Sequence, residues 1–287
     1  MTAARVRAAF ADAGVTGTLH AVDLDHPDRE LSVGADDPVV LASVFKIPLL
    51  VALHHSDHDL TRRTTLDLDR STGPTGIGGM LDPVTISLRD LAYLAVTVSD
   101  NAAADALVDL IGLDAVNDTL DRLRLERTRI VHRARDFMRT MAEDAAPDAP
   151  PSALTDPVVL SRLRALDPDQ TNRGTARDLT TLLRHVWQHD DCAPIRRAMA
   201  LQVWPHRLAS GFPFDDVRVA GKTGTLPTVR NEIGVVEYPD GGRYAVAVFT
   251  RSASTAFTVP RADAVVGTAA RLAVEHLRLS GRPPRTR

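Results

Sequence analysis

Three short stretches carry side chains able to do covalent chemistry, and they occur in a definite order: Ser43-Val44-Phe45-Lys46, Ser99-Asp100-Asn101 and Lys222-Thr223-Gly224. A serine hydroxyl is a weak nucleophile and needs a base. On a helix, residues i and i+3 share a face, so Lys46 lies one turn from Ser43. Val44, Phe45 and Ile47 make that turn apolar, and desolvation favours the neutral amine. A second ammonium nearby, that of Lys222, pushes the same way. Ser43 at a helix start meets the positive end of the dipole, and its N–H can donate to a developing oxyanion.

The other two stretches supply what an acyl transfer still lacks. Ser99 falls where a helix gives way to a turn, and a hydroxyl there can relay a proton to a leaving group. Asn101 offers a donor and an acceptor, suited to orienting Lys46 and a substrate amide. Lys222 opens a strand as a point charge, and Thr223 adds a hydroxyl. Gly224 lets substrate lie close to the backbone, and the Thr225 N–H is the natural second oxyanion donor. Taken singly, each stretch is an ordinary surface pair, turn or strand start. Their joint order gives them weight.

Composition adds to this. Of 34 basic residues only two are lysines, Lys46 and Lys222. Arginine keeps its proton in a protein, whereas a buried lysine can lose it. Both surviving lysines fall within the candidate chemistry.

The elements that must position these residues can be read coarsely. Residues 2–13 read as a helix, stopped by Gly14. Residues 15–24 alternate as a strand, with a returning strand at 30–34. The apolar run from Ser43 predicts a buried helix, with Pro48 tolerated in its first turn. Helices follow at 87–98, with Ser87 as cap, at 102–111 up to Gly112, at 115–124 and at 176–188. Residues 143–171, rich in Ala, Pro and Asp, read as a long loop with one short helix near 157–165. Strands at 217–225, 229–238 and 243–251 form a meander, and 260–279 close the chain as an amphipathic helix. A sheet domain built from both chain ends, with a helical domain inserted, fits this order.

The three motifs resemble those of class A β-lactamases and penicillin-binding proteins. SLRDLAYLAVTVSDNAAADALVDLIG, NRGTARDLTTLL and AGKTGTLPTVRNEIGVVEYPDGGRYAVAVFT are similar to family segments, and the likeness runs from about residue 15 to 275. It implies an α+β, β-lactamase-like fold: an antiparallel sheet flanked by helices, with an inserted all-helical domain. Residues 1–42 and 190–287 would form the sheet domain and 43–189 the helical one, with the site at their junction. Ser43 would attack, Lys46 take its proton, and Ser99 pass a proton to the leaving group. Lys222 and Thr223 would hold a substrate carboxylate.

One departure is as informative. Class A enzymes carry a Glu on a loop after the Ser-Asp-Asn helix, with Asn four residues on, to activate the deacylating water. Here the matching stretch, TRIVHRARDFMRTM, has no Glu, and none of the six glutamates has Asn four residues later. Asp136 is the nearest carboxylate, a candidate base or a structural partner of arginines. The expectation is β-lactam ring opening through an acyl-enzyme, with impaired deacylation. An esterase, amidase or D-peptidase is the alternative, and a covalent β-lactam receptor without turnover a third reading. Arg230, and secondarily Arg207, are candidates to read a substrate carboxylate.

The remaining features exclude more than they add. A net charge of −3 and 4% aromatic residues argue against nucleic acid as a partner. No eighteen-residue apolar run exists, and no secretory signal is visible, so no membrane partner and a monomer are expected, cytoplasmic as the sequence is written and secreted if its true N-terminus lies upstream. The partner implied is a small molecule bearing a carboxylate and a lactam, amide or ester, with no cofactor. His54, His55 and His58 form an HHxxH cluster, read as a solvated helix end. Cys192 stands alone among carboxylates that would raise its pKa. Gly73, Gly76, Gly78 and Gly79 read as a flexible loop, since no Gly-Lys-Thr follows. The arginines at 278, 282, 285 and 287 read as a solvated tail.

Overall fold

The computed structural model describes residues 1–67, 73–146 and 150–280. The tail beyond Ser280, and the part of the long loop at 147–149, lie outside the described residues. The chain opens with helix α1 (Thr2–Asp12), then strands β1 (Val15–Asp23), β2 (Glu30–Val33) and β3 (Val39–Val40). A 3-10 turn, Ala42–Phe45, runs directly into α2 (Lys46–His54). Next come β4 (Arg63–Leu66), β5 (Val84–Ser87), α3 (Leu88–Thr97), α4 (Asn101–Arg122), α5 (Ala134–Ala145) and α6 (Pro157–Leu160). The chain ends with β6 (Arg173–Gly174), α7 (Ala176–Gln188), α8 (Ala193–Ala200), β7 (Arg218–Leu226), β8 (Val229–Glu237), β9 (Arg243–Ser252) and α9 (Pro260–Ser280).

The main sheet has five strands in the order β2-β1-β9-β8-β7, all antiparallel. This is the expected α+β architecture. The last three strands are consecutive hairpin neighbours, while β1 joins the far side, so both chain ends build one sheet. Helices α1 and α9 cover one face through Val6, Phe10, Val266 and Val274. The other face buries Ile233, Ala247 and Phe249 with the residues of α2, α3, α4 and α7 in one continuous core. Helix α2 is apolar all round; every residue from Lys46 to Leu53 is buried, as befits the central helix of a helical layer. Among the described residues no helix is long and apolar enough to cross a membrane.

Several local readings are refined. The stretches expected as two helices around Gly112 run on as α4, with a kink where Gly112 takes φ 80°. The Ser87 hydroxyl accepts from Asp90 N–H and caps α3, as its position predicted. Helix α5 was missed. It occupies the stretch scanned for a glutamate, and its first turn is capped from another helix: Asp105 accepts from Ala134 N–H at 2.6 Å and Arg135 N–H at 2.9 Å. The glycine-rich loop is pinned where it was expected to be flexible. Gly76–Gly79 form a 3-10 turn, and Ile77 N–H donates to Asp100 at 2.7 Å. Asp100 also caps α4 through Ala103 N–H.

Candidate active site

The site is assembled where edge strand β7 meets the 3-10 turn that carries Ser43. Gly224 makes that meeting possible. A Cβ at this position would stand 2.6 Å from Leu41 O and 3.3 Å from Ala42 Cβ. The glycine is therefore needed for the strand to approach the Ser43 turn, a role beyond the substrate contact expected of it. Two hydrogen bonds, one from a side chain and one between backbones, hold the turn in place. Asn231, opposite Gly224 in the ladder, donates to Val40 O at 2.8 Å. Leu41 N–H donates to Asn172 O at 2.9 Å.

Backbone strain marks both serines. Ala42, immediately before Ser43, has φ 49°, and Ser99 has φ 59°. Residues with side chains rarely adopt this region unless their surroundings hold them there. For Ser99 the holding is visible: Asp100 behind it is fully buried and locked to two backbone N–H groups.

Lys46, Ser99, Asn101 and Lys222 converge. Lys46 Nζ lies 2.7 Å from Ser99 O, 3.3 Å from Ser99 Oγ and 2.6 Å from Asn101 Oδ1. Lys222 Nζ donates to the same Ser99 Oγ at 2.9 Å and to Thr223 O at 2.8 Å. Both lysines are completely buried. Burial lowers Lys46 to about 7, against the pull of the Asp100 and Asp105 carboxylates. Lys222 is pushed well below the ordinary lysine range, by burial and then by the charges of Lys46 and Arg207, with Glu232 opposing. Lys46 at about 7 suits proton transfer near neutral pH. A neutral Lys46 keeps two N–H donors for Ser99 O and Asn101 Oδ1, and its lone pair can accept the Ser99 hydroxyl proton. A charged Lys46 donates to all three. The same three contacts serve either state.

The edge of β7 supplies backbone donors. Thr223 N–H leaves the strand on the side away from β8 and donates to Gln202 Oε1 at 2.7 Å. In an antiparallel ladder alternate residues face the same edge, so the Thr225 N–H two residues on also faces outward, towards the Ser43 turn. Gln202 is in turn oriented by Glu232, which accepts its Nε2 at 2.7 Å and Leu208 N–H at 2.7 Å. Burial raises the Glu232 carboxyl to about 7, although these hydrogen bonds and the charges of Arg207 and Lys222 oppose it. Gly221 leaves room for it: a Cβ there would stand 2.4 Å from Glu232 Oε1. Sequence reading missed Gln202 and Glu232. The only available signal was a glutamate within an otherwise buried strand.

The two arginines named as carboxylate readers are both engaged in structure. Arg230 donates to the carbonyls of Leu226 and Val229 and to Phe257 O, with Asp263 3.6 Å away. Arg207 donates to Gly224 O and Asn231 O, each at 3.0 Å, to Thr225 Oγ1 at 2.8 Å and to Asp263 at 2.7 Å. Arg207 thus anchors the Gly224–Thr225 segment from behind.

Asp136 is held in ion pairs at the start of α5. It accepts from the Arg133 backbone N–H at 3.0 Å and lies 3.4 Å from the side chains of Arg133 and Arg139. Partial burial would raise it, but these arginine hydrogen bonds outweigh burial and hold it below the usual carboxylate range. The α5 side chain seen against the Ser43 motif is Phe137, whose ring centroid lies 5.9 Å from that of Phe45.

Comparison with known proteins bears on the fold and the family. The chain is 31% identical to the beta-lactamase regulatory protein BlaB of Streptomyces cacaoi over 303 residues, covering 95% of this chain and 96% of that one. Among solved structures it is similar to a beta-lactamase from Sphaerobacter thermophilus DSM 20745, at 25% identity and TM-score 0.75, over 99% of this chain and 98% of that one. PBP-A shares the fold, at 21% identity and TM-score 0.76, over 97% of this chain and 96% of that one. Residues 1–277 match the family described as the beta-lactamase enzyme family, and the chain belongs to it.

Proposed function

We propose that Ser43 is acylated by β-lactams and that the acyl group leaves slowly. The observation that carries this reading is the convergence of Lys46 and Lys222 on Ser99 Oγ, beside the turn that presents Ser43. In this reading a neutral Lys46 receives the Ser43 proton, Ser99 hands a proton to the lactam nitrogen, and Lys222 with Thr223 holds the substrate carboxylate. The N–H groups of Ser43 and Thr225 receive the oxyanion, and the cleft lies between sheet and helical layer. Slow release is supported by Asp136, whose pairing with Arg133 and Arg139 leaves it a poor base.

A second reading is favoured by the relative named as a regulatory protein: the persistent adduct is itself the output, and the protein is a covalent β-lactam receptor. One experiment separates the cases. Intact mass is followed after mixing with benzylpenicillin, beside Ser43→Ala. An adduct confined to the parent and lasting hours supports acylation with slow release. An adduct that decays in seconds makes the protein a turning-over hydrolase. Absence of any adduct, together with no penicillin hydrolysis, removes the proposal.

A further inference from the structure

The C-terminal ends of α2 and α7 meet the start of α8 on the side of the molecule away from Ser43. Three metal-binding side chains converge there: His55 caps α2, His185 lies in the last turn of α7, and Cys192 ends the 3-10 turn before α8. Their ligand atoms all lie within 4.8 Å of one another. His55 Nε2 and His185 Nε2 are 3.4 Å apart. Two nitrogens bound at about 2.05 Å to a tetrahedral ion stand about 3.4 Å apart. Asp191 Oδ2 lies 3.7 Å from His55 Nε2. The HHxxH cluster is thus divided by the fold: His55 joins partners from 130 and more positions away.

We propose that His55, His185 and Cys192 form a three-ligand binding site for a tetrahedral divalent transition metal of the zinc type, with the fourth position taken by water or by Asp191 after a side-chain rotation. The donor set, two imidazoles and a thiolate, is one that such an ion prefers over magnesium or calcium. A further observation points to a cation: His55 caps the C-terminal end of α2, whose dipole favours positive charge. The His189 ring packs on that of His185, centroids 4.0 Å apart, and limits its swing. On binding, the Cys192 thiol gives its proton to solvent and the sulfur takes the metal; the ion's charge offsets the burial that otherwise keeps the thiol protonated. The site lies about 13 Å from Lys46 along α2. Its role is therefore to clamp α2 to α7 and α8 and not to act on substrate.

The test uses the untagged protein after chelator treatment, titrated with cobalt and then zinc. The expected result is the strong visible absorption of tetrahedral cobalt with a thiolate charge-transfer band, both erased by zinc, and a higher melting temperature with zinc. Cys192→Ser removes the charge-transfer band, and His185→Ala weakens binding at least about tenfold. Acylation of Ser43 by penicillin proceeds in both variants. If Cys192→Ser does not fold, His55→Gln at the surface serves in its place and loses cobalt affinity. Failure of the parent to take up cobalt, or a pale octahedral spectrum unchanged in the variants, overturns the site.

Discussion

Ser99 Oγ stands 3.3 Å from Lys46 Nζ and 2.9 Å from Lys222 Nζ, so one hydroxyl joins the only two lysines of the sequence. It is the midpoint of the proton path in the mechanism proposed above. Ser99→Ala keeps both amines but removes the atom between them. We expect penicillin acylation to slow by about 10²–10⁴, the usual worth of a positioned proton-transfer group, with little change in melting temperature. Stopped-flow mass or fluorescence measurement of adduct formation checks it.

The pH dependence of acylation follows from Lys46. Its amine must be neutral to take a proton, and burial brings it to about 7. The acylation rate should therefore rise from pH 6 to pH 8 and level off above. A rate that falls over that interval would exclude Lys46 as the base.

Stability should respond to pH through two groups of opposite sign. Lys46 is lowered, so its contribution is full at high pH and is lost as pH falls through about 7. Glu232 is raised, so its contribution is present below the ordinary glutamate range and is lost as pH rises through about 7. The sign in each case follows from which state binds more protons. Urea midpoints across pH 5–9 should show Glu232→Gln losing the falling part. The same variant disturbs the amide of Gln202, because Gln offers a donor where an acceptor is needed. A loss of about 1–3 kcal/mol is expected at pH 5.

Gly224→Ala tests the close approach of β7. The added carbon must push against Leu41 O, a backbone atom that cannot swing away. A loss of about 1–3 kcal/mol is expected, together with slower acylation because the Ser43 turn shifts. Thermal melting and adduct kinetics read both.

Asp136→Asn separates base from ion-pair partner. The arginine pairs predict an unchanged rate of adduct release and a stability change of about 1 kcal/mol or less. A further tenfold slowing of release would make Asp136 the deacylating base.

The motif residues were legible because their spacing already carries the chemistry, and the strands after Lys222 were legible from the turn Pro239-Asp240-Gly241-Gly242 between two of them. What was hidden depends on distance in space. Gln202 gains its role only because Glu232 turns its amide toward Thr223 N–H. Arg230 and Arg207 read as candidate binders of a substrate carboxylate, yet both are buried against carbonyls of the protein itself. Helix α5 has an arginine at its N-cap position, and the carboxylate that accepts its first N–H groups, Asp105, comes from α4, while Asp136 closes the turn locally. His55 gave half of a pattern whose other half lies on α7 and before α8.

The complete burial of Lys46 and Lys222 also gives the molecule an unusual chemical exterior. A reagent that attacks amines finds no lysine side chain on the folded surface. Any lysine that becomes tagged must have been reached by a local opening of the cleft. Amine labelling is therefore a gauge of how often the cleft admits solvent, and a bound acyl group should slow it.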